Sequence, residues 1–363
     1  MHRLVNSLRV AFVDHHTLVS RAGTSTPTWT PARAAWFNHV PSLRRLRAVT
    51  GCLTPGQATR GLRGVAPFGG PHVALSLQGH VWSEARMSAE LDSGHDDRVL
   101  AATRAIAAVI IPFLVAGFVL LYLFPSDTKA LFAWTITPTM TPMFLASAYL
   151  GGAYFFLRVL REPRWNVVKT GLVAVALFAG LLGVATIIHW DRFNHHHPAF
   201  WVWATLYFTT PFLVAGGWLA NRRFASRPGT DEVRLGPGPR WTMGLVGLLA
   251  LIQGAVMFVA PTPIIAAWPW TLTPLTCRVV GAVFCLGSAG AAVLIDPRWT
   301  SVKLMLQVEM LMISLMLIAA ARAHTQFATN RPLTWLLLAG FIGVLAGSTY
   351  LWRTYEHPRL PRT

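Results

Sequence analysis

The loop at residues 189–198 combines side chains that are good ligands for a divalent metal ion. It reads His189-Trp190-Asp191-Arg192-Phe193-Asn194-His195-His196-His197-Pro198. Imidazole and carboxylate bind zinc, copper and nickel, so His189, Asp191, His195 and His197 could surround one ion. The spacing matches no tight metal signature, and the alternative interpretation is a polar loop in water. The sequence predicts no cofactor. A divalent metal at this loop is possible, and haem held by His189 and His324 is the other arrangement to consider.

A single acid, Glu309, lies inside a long apolar block. Acids are rare in membrane spans and mark ion or proton pathways. Arg278 is the tempting partner, but it begins the preceding apolar block at the opposite end, on the order of 15–20 Å away along the helix axes. Glu309 is therefore expected to be protonated, to bond a neighbour such as Gln253, or to face a water-filled cavity. It is either a structural acid near the membrane interface or an ion or proton site.

Familiar catalytic motifs are missing from the sequence. There is no phosphate-binding glycine loop followed by lysine and serine or threonine, and no His-Glu-x-x-His helix. No Gly-x-Ser-x-Gly elbow occurs either. The apolar blocks lack the paired carboxylates of pumps and the arginine-rich helices of voltage sensors. The sequence therefore favours a protein that is not an enzyme.

The elements that must position these side chains are membrane helices. The 363 residues are 53% hydrophobic and 12% charged, which is too apolar for a soluble domain. A helix crosses a bilayer in about 20 residues, and eight spans are predicted, at about 104–124, 140–160, 167–188, 199–220, 240–260, 275–295, 303–321 and 333–352. The expected fold class is an all-α polytopic membrane protein, with the lipid bilayer as its surroundings.

The apolar blocks repeat along the chain. Trp134–Pro138 reads Trp-Thr-Ile-Thr-Pro and Trp270–Pro274 reads Trp-Thr-Leu-Thr-Pro, an offset of 270 − 134 = 136. Glu162–Trp165 and Asp296–Trp299 share the pattern acid-Pro-Arg-Trp, at 299 − 165 = 134. Such repeats indicate architecture. They predict two four-helix units of the same orientation, related by an axis along the membrane normal.

The chain is expected to divide into four parts. These are a basic extension at 1–86, a first membrane unit at 87–220, a linker at 221–239 and a second unit at 240–363. The extension holds ten arginines and two acids. It could be a transit peptide, a disordered basic arm, or an over-extended reading frame preceding a native start at Met87.

The repeated segments have structural interpretations. Thr137 and Thr273 precede prolines that suit the first turn of a helix, so both are expected to cap one. Glu162 and Asp296 favour helix starts, with the following Arg and Trp at the lipid headgroups. The tryptophans of the other segment are expected in an aromatic belt: Trp134, Trp268 and Trp270. A binding role for the two outer loops is the alternative.

Small residues spaced by four predict close helix contacts on the sixth and eighth spans. The sets are Gly281, Cys285 and Ala289, and Ala339, Gly343 and Gly347. Such spacing favours bundling and indicates no particular partner.

Basic residues predict the orientation. With the amino terminus in the cytoplasm, sixteen basic residues of the short loops lie inside and five lie outside. The five are Lys129, Arg192, Arg278, Arg322 and Arg331. This bias places both termini in the cytoplasm and accounts for the net charge of +17 without nucleic acid binding by 87–363. Abundant Arg and Ala with three lysines suggest a GC-rich bacterial gene, hence the plasma membrane.

Three function classes remain open. The leading hypothesis is a small-molecule or ion transporter, or a transport-associated protein, because duplicated spans create an interface that contains Glu309. The second is a non-catalytic scaffold or assembly subunit with protein partners in a membrane complex. The third is a metal-binding membrane enzyme that uses the histidine loop.

Overall fold

The computed structural model describes residues 97–225 and 232–356, and eight of its helices are long and apolar enough to cross a membrane. They are α1 Ala101–Leu123, α2 Met140–Arg161, α3 Trp165–Ile188, α4 Pro198–Phe224, α5 Pro237–Val259, α6 Pro274–Leu294, α7 Trp299–Arg322 and α8 Pro332–Glu356. Each predicted span corresponds to one of them, which confirms the all-α polytopic fold. The predicted extension 1–86 and the start at Met87 lie outside the described residues.

The helix boundaries shorten the predicted linker. α4 continues through a 3-10 turn to Phe224, and α5 begins at Pro237, which suits the first turn of a helix because it needs no backbone N–H there. The linker predicted at 221–239 therefore loses residues to both neighbouring helices. Short helices at Thr128–Leu131 and Pro261–Ala267 precede the two Trp-Thr-x-Thr-Pro segments.

α6 is built differently from α2, although the two helices begin after the same sequence motif. It contains 3-10 turns at Cys285–Gly287 and Ala292–Leu294. A 3-10 residue rises about 2.0 Å and an α-helical one about 1.5 Å, so six 3-10 residues gain about 3 Å, the rise of two α-helical residues. The offset between the sequence copies falls from 136 to 134 within this helix. The greater rise of the 3-10 turns thus compensates for the two-residue difference in offset.

The centre of the bundle consists of α2, α3, α6 and α7. α2 packs on α7, and α3 packs on α6 and α7, so the first four helices meet the last four through equivalent members. Of the outer helices, α1 packs on α2 and α4, α5 packs on α6, and α8 packs mainly on α7. One end of the bundle carries Asp296 and the other carries His189, and these are called the Asp296 end and the His189 end below.

Loop hydrogen bonds recur in the two halves at the sequence offsets. Backbone N–H groups donate to carbonyl oxygens from Val99 to Pro163 (2.9 Å), Leu235 to Pro297 (2.9 Å), Asn194 to Ala133 (2.8 Å) and Ala328 to Pro269 (2.7 Å). The first two bonds lie at the Asp296 end and the last two at the His189 end. Both halves therefore close their loops in the same way.

Close glycine contacts occur on α6, as predicted, but not on α8. A Cβ atom at Gly281 would lie 2.8 Å from the carbonyl oxygen of Gly254 in α5. A Cβ atom at Gly343 or Gly347 would meet nothing within 4 Å. The prediction for α8 is wrong because its glycine face borders open space rather than a neighbouring backbone.

The tryptophans predicted for an aromatic belt are buried. Trp134, Trp268 and Trp270 are 4%, 1% and 1% exposed. They pack in edge-on aromatic pairs, such as Trp268 with Trp270 at 5.3 Å between ring centroids, which fasten the loops to the bundle. Trp201 and Trp335 are more exposed at this end, and their indole N–H groups donate to the carbonyl oxygens of His195 and Thr329.

One of the two predicted threonine caps is present. The Thr273 hydroxyl accepts from the backbone N–H of Thr276 at 3.2 Å, and the Thr276 hydroxyl contacts the Thr273 N–H in return. Thr137 is not a cap, because α2 begins at Met140 and the Thr137–Pro138 peptide bond is cis. The two copies of the motif thus enter their helices differently.

Candidate functional site

A cavity of about 530 Å³ lies between the helices, and residues from all eight spans line it. Its walls are mostly apolar, and its few polar residues are Glu309, Gln253, Ser348, Tyr207, Thr210 and Thr242. Pockets of this size lined by apolar groups with a few placed polar ones are typical of small-molecule sites. The sequence indicated Glu309 but not the cavity, whose walls come from residues far apart in the chain.

Glu309 is the acid of this cavity. It is partly buried in α7, and its Oε2 accepts a hydrogen bond from the Ser348 hydroxyl of α8 at 3.2 Å. Among the described residues the partner is therefore Ser348 and not Gln253, although Gln253 lines the same cavity. A carboxylate has about four acceptor positions, so one hydroxyl leaves acceptor capacity for a bound molecule.

The glycine face of α8 creates much of the open space. Gly340, Gly343 and Gly347 all line the cavity, and a Cβ atom at any of them would meet nothing within 4 Å. In the first half, α4 instead packs on α1, where the Thr103 hydroxyl bonds the buried side-chain oxygen of Asn221. The open glycine face is therefore a feature of the second half, although both halves line the cavity.

Methionines give the cavity an adaptable wall. Met305, Met312 and Met316 of α7 line it, whereas the thioether of Met310 contacts the Thr349 hydroxyl. Unbranched thioether side chains can rearrange around molecules of different shape. Three methionines of α7 thus line the cavity with side chains that can adapt to a bound molecule.

Arg278 pairs with His189 and not with Glu309. Its Nη1 lies 2.7 Å from His189 Nε2, which joins α6 of the second half to the end of α3 in the first. Burial, followed by the charges of Arg278 and Arg192, lowers the pKa of His189 below its usual value. A neutral imidazole can accept the guanidinium hydrogen bond, so this pair acts as a polar link between halves.

The other histidines of the predicted metal loop have structural contacts. His197 Nδ1 accepts from the Ala199 N–H at the start of α4, and its Nε2 lies 3.1 Å from the Ala130 carbonyl oxygen. His195 stacks on Trp190 with 5.0 Å between centroids. Among the described residues no three His, Cys, Asp or Glu side chains converge as metal ligands. The structure therefore does not bring His189, Asp191, His195 and His197 around one point.

The Asp296 end holds a charged cluster that links the halves. The Asp296 carboxylate accepts from Arg298 Nε and Nη2, both at 2.7 Å, and from Lys169 Nζ of α3 at 2.8 Å. Ser301 Oγ donates to the backbone carbonyl of Asn166 across the same boundary at 3.1 Å. Arg298 is 6% exposed. The expectation that this arginine anchors at the headgroups is wrong, because it is buried on the adjacent carboxylate.

The charges of this cluster stabilise one another. Burial acts to raise the pKa of Asp296, but hydrogen bonds from Arg298 and Lys169 and their positive charges prevail and hold that pKa well below its usual range. Asp296 is therefore ionised at neutral pH. In the first half Glu162 pairs with Arg164 at 3.1 Å, and that arginine side chain is 56% exposed.

Comparison of the chain with protein-family models, with curated proteins and with solved structures found no match. The chemistry of the cavity must be inferred from its own walls. These walls are apolar, adaptable and open beside one carboxylate, within a multi-pass membrane protein.

Proposed function

We propose that the protein transports an apolar or amphipathic small molecule that carries a positive charge or a hydrogen-bond donor. The observation that carries the proposal is the cavity of about 530 Å³ with Glu309 on its wall. Apolar walls favour a molecule that partitions into membranes rather than a hydrated ion. The carboxylate sets the chemistry of the polar group, because it accepts hydrogen bonds and attracts cations.

Intramembrane acids are costly to retain and are ordinarily functional. Ser348 supports such a role, since its hydroxyl orients Glu309 from a different helix. At the 134 offset the equivalent positions are Val175 and Val214. The polar pair thus belongs to the second half alone, which also contains the open glycine face.

The test uses rhodamine 6G, an apolar cation with N–H donors, and the full chain in detergent. Binding is measured by fluorescence polarisation. Glu309→Gln should weaken binding about 10- to 100-fold, the effect of a hydrogen bond to a charged group. Glu356→Gln is the matched control, because Glu356 pairs with Lys303 outside the cavity, and it should bind like the original protein.

Uptake of the same dye into proteoliposomes then separates transport from binding. We expect uptake by the original protein and by Glu356→Gln, and none by Glu309→Gln. Equal dye binding by Glu309→Gln and the original protein would contradict the proposed site. Binding without uptake would contradict transport and retain the site.

We also infer that the two halves arose by duplication and lie in a bacterial plasma membrane with both termini in the cytoplasm. The recurring loop bonds and the basic residues of the Asp296 end support this arrangement. His196 and Arg223 are exposed at opposite ends of the bundle. A cysteine at position 196 should react with an impermeant maleimide on intact cells, and one at position 223 should not.

A scaffold function is the second candidate, and the exposure of α8 favours it. α8 is the least buried of the eight spans, and its glycines leave space for a partner helix. Copurification of a stoichiometric membrane protein, lost in Gly343→Leu, would support this alternative. The metal-enzyme hypothesis stays a prediction, and metal analysis of the purified protein tests it.

A further inference from the structure

A second cavity, here called the basic cleft, opens at the Asp296 end between the two halves. Its volume is about 620 Å³, and α3, α4, α6 and the segment that precedes α5 contribute to it. Lys169, Arg234 and Arg298 line it together with one acid, Asp296. The lining therefore carries a formal excess of two positive charges. Glu309 is not part of this lining.

Two basic groups of the cleft can bind an anion. Lys169 Nζ donates to Asp296 at 2.8 Å and to Asn166 Oδ1 at 3.1 Å, and an ammonium group has three N–H donors. Its third donor remains for a ligand. The Arg234 side chain is exposed and makes no ion pair with a described residue. Arg298 is hydrogen-bonded to Asp296, so it contributes positive charge to the cleft without binding the anion directly.

Apolar groups line the remainder of the basic cleft. Val173 lies one helical turn from Lys169 on α3, about 6 Å further into the membrane, and Trp218 of α4 lies beside it in the lining. Ile295 is 88% exposed at the same opening. The Ser288 hydroxyl oxygen is buried in this region with no hydrogen-bond partner among the described residues. The cleft thus offers charge at its mouth, an apolar wall and one unused hydroxyl.

The equivalent place at the other boundary between the halves, around Lys303 and Arg98, is closed. Lys303, which matches Lys169 at the 134 offset, bonds Glu356 and lies over the Trp352 ring at 5.3 Å. Arg98, which matches Arg234 at the 136 offset, lies over the Phe224 ring at 4.7 Å. Both of these basic groups contact the protein itself. The open cleft is therefore not a general consequence of the repeated fold.

We infer that the basic cleft binds an anionic phospholipid, with the phosphate group at Lys169 and Arg234 and an acyl chain along Val173, Trp218 and Ile295. Basic residues at the membrane surface attract anionic headgroups. A bare phosphate ion would use the same basic groups but not the apolar wall. The combination of charge and apolar surface therefore favours the lipid over a free anion.

The test is native mass spectrometry of the detergent-purified full chain titrated with phosphatidylglycerol, or with phosphatidylcholine of the same acyl chains. We expect tighter binding of phosphatidylglycerol. Arg234→Gln should weaken it about fivefold, the contribution of one basic residue near an anionic surface, without breaking an ion pair of the fold. Lys303→Gln is the matched control and should bind normally. Equal binding of the two lipids, or unchanged binding in Arg234→Gln, would overturn the inference.

Competition separates lipid from free anion. Trp218→Leu should weaken phosphatidylglycerol binding, because Trp218 is proposed to contact the acyl chain. Millimolar inorganic phosphate should not displace the lipid, because phosphate has no acyl chain and cannot make these apolar contacts. Displacement by inorganic phosphate together with unchanged binding in Trp218→Leu would assign the cleft to a free phosphate and overturn the lipid. Circular dichroism of each variant shows that it is folded.

Discussion

The two halves of this protein share their loop contacts but differ in what their outer helices enclose. In the first half α1 packs on α4, and the Thr103–Asn221 hydrogen bond joins them. In the second half α5 and α8 both border the cavity, and α8 presents glycines to it. Both halves line the cavity, but the outer helices differ in packing: α1 and α4 contact each other directly, whereas the glycine face of α8 stays open.

The acid-Pro-Arg-Trp motifs of the two halves also differ, because Arg298 is buried and Arg164 is exposed. Of the substitutions considered, Asp296→Asn should therefore cause the largest loss of stability. It leaves the buried Arg298 with Glu232 at 3.5 Å as its remaining acidic partner. Removing one member of a buried pair destabilises by about 3–5 kcal/mol. Glu162→Gln should cost less than about 1 kcal/mol, because its partners Arg164 and Arg158 are 56% and 30% exposed and can be solvated without it. Unfolding in detergent measures both, and equal losses would contradict the difference in burial.

The same pair predicts a pH dependence. The pKa of Asp296 is lower in the folded protein than the ordinary value of about 3.9. Its contribution to stability is therefore fully present above that ordinary value and is lost as the pH falls through the lower folded pKa. As the pH falls below about 3.9, the ordinary pKa of a carboxyl group, the original protein should lose stability faster than Asp296→Asn. Parallel curves for the two proteins would show that this carboxylate does not titrate as inferred.

Substitution of a glycine in α5, compared with one in α8, should change stability by an intermediate amount. A Cβ atom at Gly254 would lie 2.5 Å from the Gly281 carbonyl oxygen and 2.8 Å from the Cys285 nitrogen. Gly254→Ala should therefore destabilise by about 1–3 kcal/mol through overpacking. Gly343→Ala should change stability little, since no atom lies within 4 Å. Thermal unfolding measures both, and a large loss in Gly343→Ala would mean that another helix occupies the space beside α8.

The smallest expected loss of stability is at the N-termini of α2 and α6. Thr273→Ala removes a cap that bonds Thr276 and should cost about 1 kcal/mol. Thr137→Ala should cost less, because α2 begins three residues later without this cap. The difference between the two unfolding free energies is the measurement. Equal costs would indicate that Thr137 has a role other than capping.

Sequence patterns predicted the features that depend on local composition. Apolar blocks of sufficient length predicted all eight spans, and the isolated charge of Glu309 marked the cavity wall. Its partner Ser348 could not be identified, because a serine on a distant helix has no distinguishing local pattern. Arg278 was correctly separated from Glu309 by helix geometry, but its contact with His189 depends on how two halves meet.

Two other predictions were wrong because the same sequence pattern occurs in buried and in exposed surroundings. Trp270 has the composition expected for an interfacial belt, yet aromatic pairing and a hydrogen bond to Thr141 hold it inside the bundle. Gly343 has the spacing of a close helix contact, yet it faces open space. Periodicity shows that a helix has a small-residue face, and only the positions of other helices determine what lies against that face.

The 3-10 turns of α6 have a consequence for the alignment of membrane protein sequences. Because six residues of 3-10 helix supply the height of two absent ones, a deletion can fall in the middle of a span while both loops stay level with the bilayer surfaces. An alignment of the two halves that forbids gaps within hydrophobic segments would place Asp296 two residues away from Glu162. A transmembrane helix with two fewer residues can thus cross the same thickness of membrane.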